Sequence, residues 1–434
     1  MQNGSFHRGD AKARRSRRGY HLPFTSYHLP LIIHPLLFTH AVKLLRITTV
    51  PISLQLLLGG QFRYMKENGY DVYTISADGP EVKEVLKEGV QHIAVPFTRK
   101  ITPIQDLICL IKLVRIINRI KPDIIHTHTP KAGLLGMLAG WICGTPVRVH
   151  TVAGLPLMVT SGIKRRVLIM TERITYACAH RVYPNSEGLR KFVIGELKAS
   201  SEKVKVIGKG SSNGIDIGVF NRSDELQGKA QAIRKKNGIE DNDIVFSFVG
   251  RIVRDKGVVE LVESFKALNG LFMSASKGKA FLVMVGSFEE DLDPLPEDVV
   301  KFLQTDKRVI LAGFQSDIRP WVMASDIFVF PSYREGFPNV VMQSCLLEVP
   351  CIVSDINGCN EIISRDTTGL IVPARDIKSL MSAMVELMKD EARRQKFANA
   401  AKTFVSANFG REHVWESIRK EYEQLSNIFI GKGR

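Results

Sequence analysis

The stretch "IVFSFVGRIVRDKG", from Ile244 to Gly257, decides the fold of this chain. It opens with an apolar run that is typical of a strand buried inside a sheet. The run ends at Gly250 and continues directly into a short basic loop. A buried strand followed by a loop and then a helical pattern from Val258 to Leu268 predicts the start of a βαβ unit.

Outward from this stretch, apolar runs alternate with helical patterns in both directions. The first series of predicted strands is Leu44–Val50, Val72–Ser76, Ile93–Val95, Ile124–His126, Val147–Thr151, Val182–Pro184 and Val204–Ile207. The second series is Ile244–Val249, Phe281–Val285, Val309–Leu311, Ile327–Phe330, Cys351–Ser354 and Leu370–Val372. Strands separated by helices predict two parallel sheets.

The 434 residues are too many for one hydrophobic core, which favours two domains. Gly208–Phe220, rich in glycine and serine, separates the two series and is predicted to be a hinge or a crossover. We expect an α/β fold with two doubly wound, Rossmann-like domains (42–210 and 211–410) facing across a cleft. A final helix, about 411–428, is expected to pack back on the first domain. Ligands of such sheets bind beyond the carboxyl ends of the strands.

Residues 1–41 precede the first predicted strand and have no helical or strand periodicity. Their basic start and the run "LPLIIHPLLF" (Leu29–Phe38) mimic a signal peptide, but the run is short and interrupted by prolines. We expect the native protein to begin at Val42, with 1–41 as a disordered tail or an upstream read-through.

The formal net charge of +16 is compatible with nucleic acid, an anionic membrane or a phosphorylated substrate as partner. The cations lie at strand ends and on amphipathic helices, and aromatic content is 8%, so we expect no nucleic-acid partner. Six cysteines without a CxxC pair are typical of reduced thiols in a cytosolic protein and predict no metal site.

The basic loop after Gly250 carries Arg251 and Lys256 at the predicted carboxyl end of a strand. Arginine can fork across two oxygens and lysine supplies a point charge, so the two residues suit a diphosphate. The alternative is a solvated basic loop. The loop lacks the glycine and lysine order of a Walker motif.

The segment "EGFPNVVMQ", 335–343, supplies the other half of the predicted ligand site, opposite the basic loop. Glu335 and Gly336 follow the strand Ile327–Phe330, and Pro338 suits the first position of a helix. The amides predicted at that helix amino terminus, where a phosphate is favoured, belong to Phe337, Asn339 and Val340.

A phosphate at this turn would repel Glu335, so we predict that Glu335 binds sugar hydroxyls. Gln343 lies further along the same helix and is predicted to face the same ligand. The alternative is an ordinary loop glutamate and an exposed glutamine.

In the first domain, Gly59 and Gly60 form a pair that allows close approach of a ligand, or a plain turn. His126, His128 and His150 lie at predicted strand ends facing the cleft. Each is by itself more often structural, and no third metal ligand accompanies the pair His126 and His128.

The loop "GRIVRDKG", the segment "EGFPNVVMQ" and the upstream "HTVAGLP" (150–156) together resemble the family 4 retaining glycosyltransferases of the GT-B fold. The resemblance runs from Val42 to the end of the chain. It is nearest to bacterial enzymes that extend undecaprenyl-diphosphate-linked saccharides for capsule, O-antigen or exopolysaccharide.

The resemblance implies that Glu335 contacts the transferred sugar, that Arg251 and Lys256 clamp the diphosphate, and that His150 lies near the reacting sugar. The family's second glutamate, which holds the ribose, corresponds here to Gln343, a departure from the pattern. No metal cofactor is implied.

The implied substrates are a nucleoside-diphosphate sugar, UDP-linked, and a lipid-linked saccharide acceptor. The implied location is the cytoplasm, with peripheral contact to the inner face of the membrane. Ile101–Lys121 and Ser161–Met170 are amphipathic, cationic stretches that suit an anionic membrane surface, or else pack on the sheet.

The alternative functions are a GT-B sugar-nucleotide epimerase and a non-catalytic binder.

Overall fold

The computed structural model describes residues 41–275, 278–289 and 293–431. The predicted tail, 1–41, therefore lies outside the described residues except for its last residue. The described strands form two sheets, each of six parallel strands, and helices cover the faces of both. We call each sheet with its covering helices a lobe.

The first lobe alternates strands and helices, as the apolar runs predict. Its elements are β1 (Val42–Ile47), α1 (Pro51–Leu58), α2 (Gln61–Glu67), β2 (Tyr70–Ser76), α3 (Val82–Leu86), β3 (Gln91–Ala94), α4 (Pro103–Ile120), β4 (Ile124–His128), α5 (Pro130–Ile142), β5 (Val147–Val152), α6 (Gly162–Cys178), β6 (Arg181–Pro184) and α7 (Glu187–Gly195). The strand order is β3-β2-β1-β4-β5-β6.

The second lobe repeats the plan. Its elements are α8 (Asp224–Lys236), β7 (Ile244–Val249), α9 (Val258–Ala275), β8 (Ala280–Val285), α10 (Glu297–Thr305), β9 (Val309–Gly313), α11 (Arg319–Met323), β10 (Ile327–Phe330), α12 (Asn339–Leu346), β11 (Cys351–Ser354), α13 (Cys359–Ile362), β12 (Gly369–Val372), α14 (Ile377–Lys389) and α15 (Glu391–Phe409). The strand order is β12-β11-β10-β7-β8-β9.

Each sheet reverses its winding direction between two central strands, β1 and β4 in the first lobe and β7 and β10 in the second. The loops that leave these strands diverge to opposite sides and open a crevice at the carboxyl edge of the sheet. Both strands of the second pair are almost wholly buried, which explains why the sequence shows them as unbroken apolar runs.

The last helix, α16 (Arg411–Phe429), follows the second lobe in the chain but packs on the first lobe. Its apolar face, with Val414, Ile418, Tyr422 and Leu425, joins the core beneath β1 and α1. The chain thus crosses between lobes twice. The two crossing segments run side by side in a parallel bridge between Ile215 and Gly410. In this bridge the backbone N–H of Ile215 donates one hydrogen bond and its carbonyl accepts another.

A buried polar network fastens α16 to the first sheet. The guanidinium of Arg46 is fully buried and donates to the Tyr422 hydroxyl over 3.2 Å. It also lies 2.9 Å from His128 Nε2, while His126 bonds to Tyr422 and to Thr151. Burial lowers the pKa of both histidines well below the usual value, so His128 is a neutral partner for the arginine and His126 is a neutral partner for Tyr422 and Thr151.

Three local predictions differ from the structure. Val204–Ile207 is not a strand, because only Val204 makes a bridge to the sheet. Pro338 caps α12 with an extended ψ of 108°, so the helix begins one residue later than predicted. The sequence reading also missed α1, whose residues are apolar on several sides and so show no helical stripe.

Tyr422→Phe tests the buried network. Phenylalanine fills the same volume but leaves Arg46 and His126 without the hydroxyl, and a buried group deprived of its partner costs about 1–3 kcal/mol. We expect the chemical-denaturation midpoint to fall. The control is Tyr73→Phe, whose hydroxyl bonds to Asp71 at a half-exposed position and should shift the midpoint little. Equal shifts in both variants would contradict the role of the network.

Candidate active site

Two loops meet at the carboxyl edge of the second sheet, where β7 and β10 lie side by side. Gly257 ends the loop after β7 with a φ of +71°, and a Cβ placed on it would lie 2.0 Å from the carbonyl oxygen of Pro331. Tyr333 donates its backbone N–H to the carbonyl of Asp255 over 2.9 Å. The two loops are therefore locked together, backbone against backbone.

This contact brings Lys256 to Glu335, and the lysine ammonium forms an ion pair with the glutamate Oε1. The Ser332 hydroxyl donates to the same oxygen over 3.0 Å. Both charged side chains are about 15% exposed (15% and 16%), so the pair is largely shielded but still reachable from the cleft. Sequence spacing predicted both residues as site residues, and the structure places them in contact.

Arg251 lies at the rim of the same crevice. Its guanidinium is 3.1 Å from a Glu289 oxygen and 3.9 Å from an Asp255 oxygen. Arg334 also reaches Asp255, over 3.0 Å. The side chain of Arg251 is 40% exposed, which leaves it free to exchange Glu289 for an anionic ligand.

The amino terminus of α12 follows directly on the Glu335 turn. Gly336, Phe337 and Pro338 are buried, and Asn339 and Val340 begin the helix. Just over one turn in, the side-chain oxygen of Gln343 is buried and has no hydrogen-bond partner. An unpaired buried oxygen of this kind is costly unless a ligand supplies a donor.

The first lobe touches this turn directly. A Cβ on Gly336 would lie 1.7 Å from the Ala153 carbonyl oxygen and 3.0 Å from Asn185 Nδ2. Asn185 in turn donates to the Ala153 carbonyl over 3.3 Å, and its own side-chain oxygen is buried without a partner. The turn that carries Glu335 is therefore held between the two lobes.

Asn185 and Ser332 were not identified from the sequence, although both follow a strand at the cleft edge. The available signal was a polar residue directly after a short buried run, "VYPN" for Asn185 and "FVFPS" for Ser332. Such residues are common at strand ends, so position alone did not single them out.

His150 requires a correction. Its side chain is 2% exposed, bonds through Nδ1 to the Thr127 hydroxyl over 2.8 Å, and lies against Gly133 of α5. Burial lowers the pKa of His150 to about 3. In this arrangement the imidazole is a neutral core group between β5 and α5, and it does not reach the cleft.

Gly59 and Gly60 also lie away from the ligand site at which they were predicted. Helix α1, with eight residues, separates them from the end of β1 by about 12 Å. The Gly59 carbonyl accepts from Asn213, and a Cβ on Gly60 would lie 2.7 Å from the Trp415 ring. Their close contacts are with the inter-lobe crossing and α16.

The residues that the structure describes contain no group of three or more histidine, cysteine, aspartate or glutamate side chains arranged to hold a metal ion. At the crevice Lys256 pairs with Glu335, Arg251 lies beside Glu289, and Arg334 reaches Asp255. Positive charge and helix amides beside a carboxylate suit a ligand with a phosphate at one end and hydroxyls at the other.

Comparison with known families gives two matches along the chain. Residues 61–217 match the model of Glycosyltransferase Family 4, and residues 229–404 match that of Glycosyl transferases group 1. The boundary between the two matches falls in the segment that joins the lobes.

Among curated proteins, the chain is 33% identical over 391 residues to the capsular polysaccharide biosynthesis glycosyltransferase CapM of Staphylococcus aureus, covering 90% of this chain and 99% of CapM. It is 30% identical over 370 residues to the UDP-Gal:alpha-D-GlcNAc-diphosphoundecaprenol alpha-1,3-galactosyltransferase of Escherichia coli, covering 81% and 90%.

Solved structures share the fold at low identity. HepE of Anabaena, crystallised with UDP, aligns with a TM-score of 0.71 and 18% identity over 88% of this chain and 99% of HepE. A glycosyltransferase of Rickettsia africae aligns with a TM-score of 0.72 and 20% identity over 88% and 98%.

Proposed function

Because this chain belongs to glycosyltransferase family 4 and has the GT-B fold, we propose that it transfers a hexose or N-acetylhexosamine from a UDP-linked sugar to a lipid-linked saccharide during surface polysaccharide synthesis. The observation that carries the proposal is the contact between Lys256 and Glu335 at the crevice of the second sheet. The name of the E. coli relative supports the choice of donor and acceptor class, and the name of CapM supports a role in surface polysaccharide synthesis.

In the proposed complex, the diphosphate competes with Glu335 for the ammonium of Lys256. The released carboxylate then accepts hydrogen bonds from sugar hydroxyls, which lie further from the phosphate. Arg251 exchanges Glu289 for a phosphate oxygen, and the first amides of α12 complete the anion site. Phosphate and sugar binding are coupled in this scheme, because the same ion pair must open for both.

For the reaction, we propose that the bond between the anomeric carbon and the diphosphate breaks while an acceptor hydroxyl attacks from the same face. The anomeric configuration is then retained. The proton of the acceptor hydroxyl passes to the departing phosphate oxygen. Lys256, Arg251 and the helix amides stabilise the negative charge that grows on that leaving group, without requiring a metal ion.

Lys256→Ala and Glu335→Gln test the site. We expect each to lower kcat/KM for the nucleotide sugar by about 10²–10³, because a group stabilising the leaving diphosphate or the sugar is removed. The assay is sugar transfer to isolated lipid-linked acceptor, run on a panel of nucleotide sugars. The same assay in excess chelator should retain full activity.

The matched controls are Lys229→Ala and Glu225→Gln, which break an exposed lysine–glutamate pair on α8. They should leave turnover within twofold of the unmodified protein. Unchanged turnover in the Lys256 and Glu335 variants would overturn the site assignment, and a strict metal requirement would overturn the proposed charge clamp.

Gln343→Glu tests ribose binding by α12. A carboxylate accepts from ribose hydroxyls through stronger, charge-assisted bonds, so we expect the donor KM to fall about fivefold. The same change leaves a buried, unpaired charge in the ligand-free protein and should lower its melting temperature. Gln343→Leu, which can make no such bond, should raise the donor KM about tenfold.

The control for both changes is Gln395→Leu, at an exposed position on α15. Donor KM values that stay the same in both Gln343 variants would show that this residue does not contact the nucleotide.

We further propose that the first lobe rests on an anionic membrane, where a lipid-linked acceptor is found. Helix α4 uses one apolar stripe, with Cys109, Leu113 and Ile117, to pack on the sheet. A second stripe on the same helix remains exposed; its members are Ile104, Leu107, Ile108 and Ile111.

In this proposal α4 combines the two predicted alternatives, since one stripe packs on the sheet and the other faces the membrane. Ile163, at the start of α6, adds to the exposed apolar surface, and α4 and α6 flank α5. The exposed cations of α4 and α6 are Lys112, Arg115, Arg119, Lys164, Arg166 and Arg173. Apolar side chains bordered by cations are what a surface of anionic lipid binds. Among the described helices, none combines the length and apolar character needed to cross a bilayer.

Ile104→Asp and Ile163→Asp test this surface. Both side chains are about 80% exposed (81% and 80%), so the substitutions should not disturb folding. We expect each to reduce co-sedimentation with phosphatidylglycerol vesicles at least threefold, because a charge is placed in the apolar contact. The control is Phe314→Asp, at a similarly exposed position of the second lobe (77%). Binding that is unaffected by the isoleucine changes would contradict the proposal.

A further inference from the structure

A second contact between the lobes lies at the amino terminus of α7. The carboxylate of Glu361, from α13 of the second lobe, accepts from the backbone N–H of Glu187 over 2.7 Å and from that of Gly188 over 3.0 Å. Each of its two oxygens takes one bond. The first-lobe residue Ser186 caps the next free amide, that of Leu189, with its hydroxyl. The helix end is thus completed by a residue of the other lobe.

The neighbouring residues show that the lobes are closely packed at this point. A Cβ added to Gly188 would lie 2.1 Å from Asn357 Oδ1. Asn357 also reaches across to Met158 of the first lobe, with its amide nitrogen 4.0 Å from the sulfur. The contact of Glu361 is therefore part of a continuous surface and not a single long-range pair.

The opposite side of the same segment touches the candidate active site. Gly358, with a φ of +75°, lies so close to the Glu335 turn that a Cβ on it would be 2.5 Å from the Gly336 carbonyl oxygen. Cys359 is fully buried. Burial and the Glu335 carboxylate raise the pKa of its thiol, while the Lys256 ammonium lowers it. Residues 357–361 thus contact α7 on one side and the Glu335 turn on the other.

We infer that Glu361 is a positioning residue that latches the two lobes together and thereby holds the Glu335 turn in place for the donor. When the lobes separate, the carboxylate loses both amide partners, and the Glu187 and Gly188 amides at the amino terminus of α7 lose their acceptor. The latch favours the closed arrangement before any ligand is bound. The inference goes beyond the proposed function and depends on it only for the kinetic measurements below.

Glu361→Gln is the first test. The amide keeps the size of the side chain but loses its charge, and its NH2 group must face one of the two backbone N–H groups. In the ligand-free protein we expect a larger radius of gyration by small-angle X-ray scattering. Hydrogen exchange at the Glu187 and Gly188 amides should be faster. The control is Glu391→Gln, an exposed glutamate in the first turn of α15, which should change neither quantity.

Kinetics separate a latch from a catalytic group. A saturating donor recloses the lobes, so Glu361→Gln should raise the donor KM and the dissociation constant of UDP about tenfold while kcat stays within twofold. Loss of Glu335 would instead lower kcat. A melting temperature close to that of the unmodified protein would show that the second lobe remains folded.

Gly188→Ala perturbs the same contact between the lobes, from the side of the first lobe. Alanine is favoured over glycine within a helix, so any loss of closure comes from the clash with Asn357. We expect the donor KM to rise about threefold and to return when Asn357→Ala is added. Rescue of this kind does not arise from general destabilisation.

Scattering and amide exchange that are the same in Glu361→Gln and the unmodified protein would overturn the latch. So would a fall in kcat at constant KM. If the unmodified protein fails to bind UDP, the proposed donor is wrong, but the scattering and exchange measurements still decide on the latch.

Discussion

The candidate active site depends on one close approach, the packing of Gly257 against the carbonyl of Pro331. No side chain fits between these two loops, and the left-handed φ at Gly257 is readily reached by glycine alone. The approach makes the ends of β7 and β10 a single rigid surface. Lys256 and Glu335, 79 positions apart in the chain, consequently form an ion pair that neither loop could position alone.

The connection between the lobes also depends on a close backbone contact. The chain crosses between them in two neighbouring segments, at 208–215 and at 410–411, and these are joined by a parallel bridge. Relative motion of the lobes must be taken up there, since the buried network of Arg46 and Tyr422 ties α16 firmly to the first sheet. A fully buried guanidinium would be costly without partners, and neutral His128 together with the Tyr422 hydroxyl supplies them for two of its nitrogens.

Much of this architecture could be predicted from sequence, because strands buried on both faces show unbroken apolar runs. Helix α14 is also readable from its sequence, since it has one clear apolar face and an aspartate cap. The failures have a different origin. Side chains alternate along a strand, so the sequence shows that His150 is near a strand end but not on which face it lies. Its burial against α5 became visible only with the packing of Gly133.

The neutral amide at Gln343 can now be explained by the state of the protein before the donor binds. Lys256, Arg251 and Arg334 at the crevice are already paired with Glu335, Glu289 and Asp255, respectively, so none of these three cations is available to balance another buried charge. Gln343 Oε1 has no partner in this state. An unpaired amide oxygen costs about 1–3 kcal/mol, whereas a buried carboxylate without a counter-ion costs several kcal/mol. In the proposed complex a glutamine at this position binds ribose hydroxyls less strongly than a carboxylate, but it avoids a buried charge without a counter-ion.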